Sequence, residues 1–225
     1  TRNYRHYWWR AGSNNADMSK DQSQKRYSFE RGSHPTEAHL KNRQSYAYPG
    51  GLATERVAVF IDGSNLYNGL RENVESTRFN LAELVHQLVR NRTLVRVYYF
   101  NAILTRDYNE ELREGQQRFF ESLQRIPYVT VRYSRLHRRS DGSLVEKGTD
   151  VAIVVEALSL AYDNAYDTAL LVSGDGDYVE LFEELKRRGK HVECAMFRNQ
   201  SSGILIEHAD MFHNLDELNW ENILL

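Results

Sequence analysis

The strongest constraint on the fold of this chain is the alternation of short apolar runs with longer amphipathic segments along residues 56–208. The apolar runs are rich in β-branched residues and predict strands at 56–61, 94–104, 128–136, 168–174 and 190–197. The other segments have helical spacing and predict helices at 64–73, 80–91, 107–126, 149–163, 177–189 and 201–208. Strands that alternate with helices favour an α/β layer fold with a mostly parallel sheet.

Local signals predict where several of these elements begin and end. Ser64 or Asn65 is expected to cap the first helix, and Asn80 the second. Gly189 is expected to end the helix at 177–189. The Asp-Gly pair at 141–142 predicts a tight hairpin turn. The segment at 149–163 is apolar on most sides, so we expect a buried helix there.

Residues 1–50 differ in composition from the rest of the chain. They contain one Leu, no Ile or Val, eight aromatic residues, and nine Lys or Arg against four Asp or Glu. Such a segment cannot bury enough apolar surface to offset the entropy of ordering it. We therefore predict a disordered, flexible basic and aromatic tail at 1–54 and one domain at 55–225. The tail either contacts RNA by stacking and phosphate pairing or is a linker.

Charge and cysteine content narrow the function classes. The formal net charge is −2, and residues 1–50 contribute +5, so the remainder carries −7. An acidic domain that acts on a polyanion needs a cation or a local basic patch. The single cysteine, Cys194, excludes an intramolecular disulfide and is expected to be a buried core thiol. No run approaches the roughly 18 apolar residues of a membrane span, and a cytoplasmic setting is the expectation.

Four aspartates lie at the ends of predicted strands or at the start of a predicted helix, where they are expected to share one edge of the sheet. Asp62 comes directly after the first strand, Asp175 and Asp177 come after the fourth, and Asp150 begins a helix. Sites in parallel sheets lie outside the carboxyl ends of the strands. Carboxylates in one crevice repel one another unless they are protonated or bridged by a metal. Oxygen-only ligation favours Mg²⁺ or Mn²⁺.

Each of these residues also has a purely structural interpretation. Asp62 can be a turn residue, Asp150 a charge that favours a helix N-terminus, and Asp175 and Asp177 a loop residue and a cap. The combination is more specific than any member. Two polar residues close to these carboxylates in sequence add to the pattern. Asn65 can hold a carboxylate or a water, and Ser173 can donate a hydrogen bond to Asp62 or to a metal-bound water.

Three segments resemble the signature segments of the NYN domain family, in particular its LabA-like branch within the PIN-like nuclease group. They are VFIDGSNLY, EKGTDVAIVVEAL and LVSGDGDYVELFEELKRRGKHVEC. The resemblance covers about residues 55–215 and rests on the order, spacing and flanking elements of the motifs. It implies a PIN-like three-layer α/β/α sandwich with a central, mostly parallel sheet, and a ribonuclease site that uses a divalent metal.

The resemblance also implies roles for individual residues. The acidic positions of the family match Asp62, Asp150, Asp175 and Asp177, which are expected to be catalytic and to bind Mg²⁺ or Mn²⁺. Asn65 and Ser173 match its accessory catalytic positions. The expected reaction is hydrolysis of RNA phosphodiester bonds by a water that the cation activates.

A basic stretch near the predicted acidic edge is the candidate RNA contact. Segment 132–140 contains four arginines and a histidine, and a lysine lies three residues before Asp150. Phosphate contacts from such residues would make binding salt-dependent. A solvated hairpin explains the same pattern. The candidate RNA-binding residues are Arg135, Arg138, Arg139 and Lys147.

Two other functions compete with a ribonuclease. The first is a non-catalytic module that binds RNA or protein on the same fold. The second is another Mg²⁺-dependent phosphoryl enzyme. A Toprim-type enzyme needs a Glu after the first strand, where this chain has Asp62, and a dehalogenase-type enzyme needs Asp-x-Asp, where Ser64 stands. The expected partner is RNA, not a membrane, and a homo-oligomer stays open.

Overall fold

The structure is a computed structural model that describes residues 55–104, 110–138 and 144–225. The predicted tail at 1–54 and hairpin turn at 139–143 lie outside these ranges. The strands are β1 (Arg56–Asp62), β2 (Thr93–Ile103), β3 (Val129–Arg138), β4 (Leu144–Lys147), β5 (Thr168–Val172), β6 (His191–Met196) and β7 (Met211–Asn214). The helices are α1 (Gly63–Asn73), α2 (Leu81–Val89), α3 (Glu110–Gln124), α4 (Thr149–Tyr162), α5 (Val179–Arg187), α6 (Gly203–His208) and α7 (Trp220–Ile223).

The strands form one sheet of seven in the order β4-β3-β2-β1-β5-β6-β7. Neighbouring strands are parallel except β3 and β4, which are antiparallel. The prediction of an α/β fold with a mostly parallel sheet is therefore confirmed. At the end of the central strand β1, Ile61 pairs with Val172 of β5 and Asp62 pairs with Phe100 of β2. The carboxyl ends of these three strands thus lie side by side.

Alternate residues of β1 pack into two apolar layers, one on each face of the sheet. Val57, Val59 and Ile61 pack with buried residues of α1, α2, α3 and α7. Ala58 and Phe60 pack with buried residues of α4, α5 and α6. Because side chains alternate along a strand, a run that is apolar at every position is buried on both faces. The result is the expected three-layer α/β/α arrangement.

The first helix begins earlier than the sequence predicts. The prediction of Ser64 or Asn65 as its cap is wrong, because Asp62 is the N-cap and its Oδ1 accepts a hydrogen bond from the Asn65 backbone N–H at 3.0 Å. The strand therefore leads into the helix with no loop between them. Asn80 is confirmed as a cap, since its Oδ1 accepts from the Glu83 backbone N–H at 3.2 Å.

Other elements both confirm and correct the sequence analysis. Helix α4 is not fully buried as predicted, because Val151 and Val155 on its outer face are 64% and 57% exposed. The sequence analysis missed β7 and α7, which are four residues each.

Cys194 is buried as expected, and burial raises the pKa of its thiol to about 12. Among the described residues, no helix has the length and apolar character needed to cross a membrane.

Candidate active site

The candidate site lies at the carboxyl edge of the sheet, where β1, β5 and the start of α4 meet. Asp62 is the last residue of β1 and is only 6% exposed. Its Oδ1 caps α1 through the Asn65 backbone N–H, and its Oδ2 faces the hydroxyl of Tyr178 at 3.5 Å. Capping fixes this carboxylate at a helix N-terminus, where the helix dipole favours a negative charge.

The loop after β5 is held by hydrogen bonds between its own polar residues. Asp175 Oδ1 accepts from the Asp177 backbone N–H at 3.0 Å and so caps a short 3₁₀ turn. Ser173 is fully buried, and its Oγ accepts from the Asp175 backbone N–H at 3.2 Å. Asn65 Oδ1 accepts from the Gly174 backbone N–H at 3.2 Å, which ties the loop to α1. Asp175 is half-buried, whereas Asp177 is exposed.

Gly174 is required where this loop meets the segment after β6. A Cβ atom at this position would lie 2.1 Å from the backbone oxygen of Gln200. The Ser202 backbone N–H donates to the Gly174 carbonyl oxygen at 2.8 Å. Such close contact between two backbones leaves no room for a side chain. The loop that carries Asp175 is therefore clamped between α1 and the segment at 200–202.

Asp150 reaches the same edge from a different element. It is in the first turn of α4, after Gly148, whose φ of 88° is the left-handed conformation that glycine adopts readily. The preceding residue, Thr149, is buried, and its hydroxyl donates to Ser134 Oγ of β3 at 2.6 Å. This contact anchors the helix start to the sheet. Asp150 itself is exposed.

Tyr178 joins two of the carboxylates. It is only 1% exposed, and its hydroxyl lies 3.0 Å from Asp150 Oδ1 and 3.5 Å from Asp62 Oδ2. Burial, followed by the nearby charges of Asp62 and Asp150, raises the pKa of Tyr178 far above its ordinary value. The hydroxyl therefore stays protonated and donates to a carboxylate. The sequence analysis left this residue out of the site, since a tyrosine beside a strand and a helix is typical of a core.

The predicted acidic and accessory residues lie together, whereas the side chains of the predicted RNA-binding residues are outside the described parts of the chain. Asp62 and Asp150 meet at Tyr178, and Asp175 adds to its electrostatic environment. Asn65 and Ser173 hold the loop that carries Asp175. The backbone of Arg135 pairs with that of Lys147 across β3 and β4, and Arg138 pairs with Leu144. Side chains at 135–147 lie outside the described parts, and Arg139 lies outside the described residues altogether.

One arginine of the basic stretch is engaged within the chain. Arg132 of β3 makes two hydrogen bonds to the Glu156 carboxylate of α4, at 2.9 and 3.1 Å. A forked pair of this kind is shorter and stronger than a neutral hydrogen bond. The carboxylate hydrogen bond raises the pKa of Arg132 further above its ordinary value. Arg132 therefore links β3 to α4 close to the helix that carries Asp150.

The donor chemistry of the edge fits a hard divalent cation. Carboxylate oxygens of Asp62 and Asp150 converge on one hydroxyl, and Asp175 lies in the same electrostatic environment. Oxygen donors of this kind suit Mg²⁺ and Mn²⁺. Across 55–104, 110–138 and 144–225, no group of three or more His, Cys, Asp or Glu side chains is close enough to hold a metal ion.

Comparison with models of known protein families shows which family this chain belongs to. The model of the NYN domain matches residues 56–216. This chain belongs to the NYN domain family. The NYN domain is a PIN-like nuclease family, so the edge that holds Asp62 and Asp150 is the candidate nuclease site of this NYN domain.

One solved structure has a fold similar to that of this NYN domain. A crystal structure of a protein of unknown function from Vibrio parahaemolyticus aligns with a TM-score of 0.61 at 27% identity, covering 78% of this chain and 99% of that one. A candidate oxidoreductase from Parabacteroides merdae aligns at 10% identity over 73% of this chain and 33% of that one. Its TM-score of 0.30 carries no argument. No curated protein matches this chain significantly.

Proposed function

We propose that this NYN domain is a divalent-metal-dependent ribonuclease of the LabA-like branch, acting at the carboxyl edge of its sheet. The observation that carries the proposal is the meeting of Asp62 and Asp150, from separate elements, at one buried hydroxyl. Family membership supports nuclease chemistry, and the three sequence segments quoted above support the branch. The domain spans residues 55–225, and RNA is the proposed substrate.

The acidic residues are proposed to hold one or two Mg²⁺ or Mn²⁺ ions. Asp62, Asp150 and Asp175 bind directly, and Asp177 binds directly or through water. A bound cation of this kind acidifies a water and stabilises charge on the phosphoryl group. Asn65 and Ser173 keep the Asp175 loop in place through their hydrogen bonds.

A serine nucleophile is not part of the proposed mechanism. Ser173 is fully buried, and its Oγ accepts a backbone hydrogen bond, so it is not presented to a phosphate. Attack by water leaves a 5′-phosphate and a 3′-hydroxyl, and the ribose 2′-hydroxyl takes no chemical part. The products of cleavage therefore distinguish this route from one that uses the 2′-hydroxyl.

The β3–β4 pair is the proposed RNA-binding element. Its register sets Lys147 opposite Arg135, and Lys147 is three residues before Asp150 in sequence. Arg138 is the last residue of β3, and Arg139 follows it in the sequence. Contacts to phosphates from these four residues would offset the acidic charge of the domain and weaken as salt rises.

The test is cleavage of end-labelled single-stranded and structured RNA by the purified chain with Mg²⁺, Mn²⁺ or EDTA. The test variant is Asp175→Asn, which keeps a capping side chain but removes the charge. The matched control is Asp163→Asn, an exposed residue that follows the last turn of α4. We expect metal-dependent cleavage with 5′-phosphate ends in wild type and control, and none in Asp175→Asn. Equal cleavage by Asp175→Asn would contradict the proposal.

A second candidate is a regulatory module that binds RNA or protein and does not cleave. One observation favours it, since no three-residue metal group is formed in the described part of the chain. Metal that raises the melting temperature of wild type but not of Asp175→Asn, without RNA cleavage, would favour this alternative.

A further inference from the structure

We propose that Tyr178 is a positioning residue for the metal site: its buried hydroxyl sets the separation and orientation of the Asp62 and Asp150 carboxylates before a cation binds. This inference rests on the proposed metal-dependent function and adds a residue to it. From the sequence, Tyr178 is interpreted as a core residue, with stacking on a base as the alternative, and the resemblance to the NYN family assigns it no role.

The position of the Tyr178 ring is set by apolar packing and not by the carboxylates of the site. It is 1% exposed and packs in the apolar layer that also contains Phe182 of α5 and Leu205 of α6. Because a packed core holds an aromatic ring in one position, the hydroxyl at its tip is fixed in space. Tyr178 also begins α5 as its N-cap residue, so the backbone is set by the helix.

The hydroxyl contacts carboxylates from two independent elements. Asp62 ends β1, whereas Asp150 lies in the first turn of α4. The distances are 3.0 Å to Asp150 Oδ1 and 3.5 Å to Asp62 Oδ2, so the stronger hydrogen bond goes to Asp150. The hydroxyl has one proton, which it donates to Asp150, and because the group is neutral it adds no charge to the repulsion between the two carboxylates.

The restraint matters most for Asp150. This residue is exposed, whereas Asp62 is buried and caps α1 with its Oδ1. A carboxylate that rotates freely loses side-chain entropy when it binds a cation, and a carboxylate already oriented loses less. Groups that orient metal ligands typically change metal affinity or activity by about 10–100-fold when they are mutated. We therefore expect the hydroxyl to affect metal affinity, and not only stability.

The test compares two Tyr→Phe variants that each remove one buried hydroxyl from the same apolar layer. Tyr178→Phe removes the hydroxyl that meets the carboxylates. Tyr166→Phe is the matched control, because Tyr166 is also fully buried but its hydroxyl donates to the Ala157 backbone oxygen at 2.8 Å. The measurement is the dissociation constant of Mn²⁺ by calorimetry, without RNA, and the melting temperature without metal.

The two variants should separate positioning from packing. We expect Tyr178→Phe to raise the dissociation constant of Mn²⁺ by roughly tenfold, and Tyr166→Phe to leave it at the wild-type value. Loss of a buried hydrogen bond lowers the melting temperature in both. A Tyr178→Phe variant with wild-type metal affinity overturns this inference and leaves the proposed function standing. A wild-type chain that binds no Mn²⁺ overturns both.

A double variant checks that Tyr178 acts through Asp150. Asp150→Ala removes the nearer acceptor, so adding Tyr178→Phe to it should change the dissociation constant of Mn²⁺ by less than twofold. Residues that act as one unit are non-additive in this way. A further tenfold loss in the double variant would show that the hydroxyl does not work through Asp150, and would overturn the inference as stated.

Discussion

Two regions of the molecule hold their carboxylates in different ways. Inside the sheet, Arg92, which precedes β2, donates to both oxygens of Glu193 of β6 at 2.6 and 2.9 Å, and His213 Nε2 of β7 lies 2.7 Å from Glu193 Oε2. These three side chains are between 5% and 11% exposed. Burial alone would raise the pKa of Glu193, but the hydrogen bonds and charges of His213 and Arg92 outweigh it and lower that pKa. The carboxylate is therefore neutralised by partners from the chain itself.

At the carboxyl edge, Asp62 and Asp150 meet at the hydroxyl of Tyr178. That hydroxyl orients the carboxylates at the proposed site. If the Glu193 network serves stability and the carboxyl edge serves the proposed reaction, changes in the network should mainly alter stability. Changes at the carboxyl edge should mainly alter cleavage.

The largest expected effect is loss of RNA cleavage in Asp62→Asn. Asparagine is as good an N-cap as aspartate, so α1 keeps its cap while the proposed metal site loses a charge. We expect the cleavage rate to fall at least about 100-fold and the denaturant midpoint to change little. The measurement is single-turnover cleavage beside urea unfolding. A large loss of stability with unchanged activity per folded molecule would reverse the proposed division of roles.

The opposite pattern is expected for Arg92→Leu. It leaves the buried Glu193 without its arginine and removes hydrogen bonds to the backbone oxygens of Leu88 and Val89. Breaking a buried ion pair costs about 3 kcal/mol of unfolding free energy or more, while cleavage per folded molecule should not change. Arg118→Leu is the control, since its pair with Glu114 is mostly exposed and worth little. Equal destabilisation in the two variants would contradict the structural role of the Glu193 network.

Gly174→Ala should affect both properties moderately, because the site depends on close backbone packing. Its new Cβ meets the Gln200 backbone oxygen, so the Asp175 loop must shift. We expect a loss of about 2 kcal/mol in unfolding free energy, together with reduced cleavage. Gly115→Ala is the matched control, because a Cβ there has no neighbour within 4 Å and alanine favours a helix. Urea unfolding of the two variants should therefore give changes of opposite sign.

The smallest expected effect concerns acid stability at the amino edge. The side-chain hydrogen bond from Arg56 lowers the pKa of Asp167 from 3.8 to about 2. Because the folded pKa is below the unfolded one, the stabilisation is present above pH about 4 and is lost as the pH falls towards 2. Asp167→Asn should slightly flatten the decline of the urea midpoint across that window. The effect is small because both side chains are more than a third exposed, and an unchanged slope would show that the pair contributes nothing.

The sequence predicted which strands carry the acidic residues better than it predicted the individual contacts of those residues. The mostly parallel α/β sheet could be anticipated because β-branched runs alternate with helical spacing, and Asp62 and Asp175 follow two of those runs. The cap of α1 was misplaced, since the pattern does not tell whether a strand enters a helix directly. The contact of Tyr178 with the carboxylates could not be predicted either, because an aromatic residue packs in a core whether or not its hydroxyl reaches a carboxylate.

Two further departures have physical reasons. Helix α4 is apolar on most sides, which predicts burial, yet Val151 and Val155 are exposed because one side of an outer layer faces away from the sheet. β7 and α7 are too short for a periodic pattern to be recognised, and their positions depend on pairing with β6 and packing beside α2. Contacts distant in sequence, such as Asn80 N–H to the Ile223 carbonyl oxygen at 2.7 Å, cannot be read from local patterns.

The most direct test of the account is single-turnover cleavage of end-labelled RNA by wild type, Asp62→Asn and Arg92→Leu, with Mn²⁺ or with EDTA. The account predicts cleavage that requires Mn²⁺, survives in folded Arg92→Leu and is lost in folded Asp62→Asn. Cleavage that persists in EDTA, or that is equal in wild type and Asp62→Asn, would contradict the claim that the carboxyl edge is a metal-dependent nuclease site.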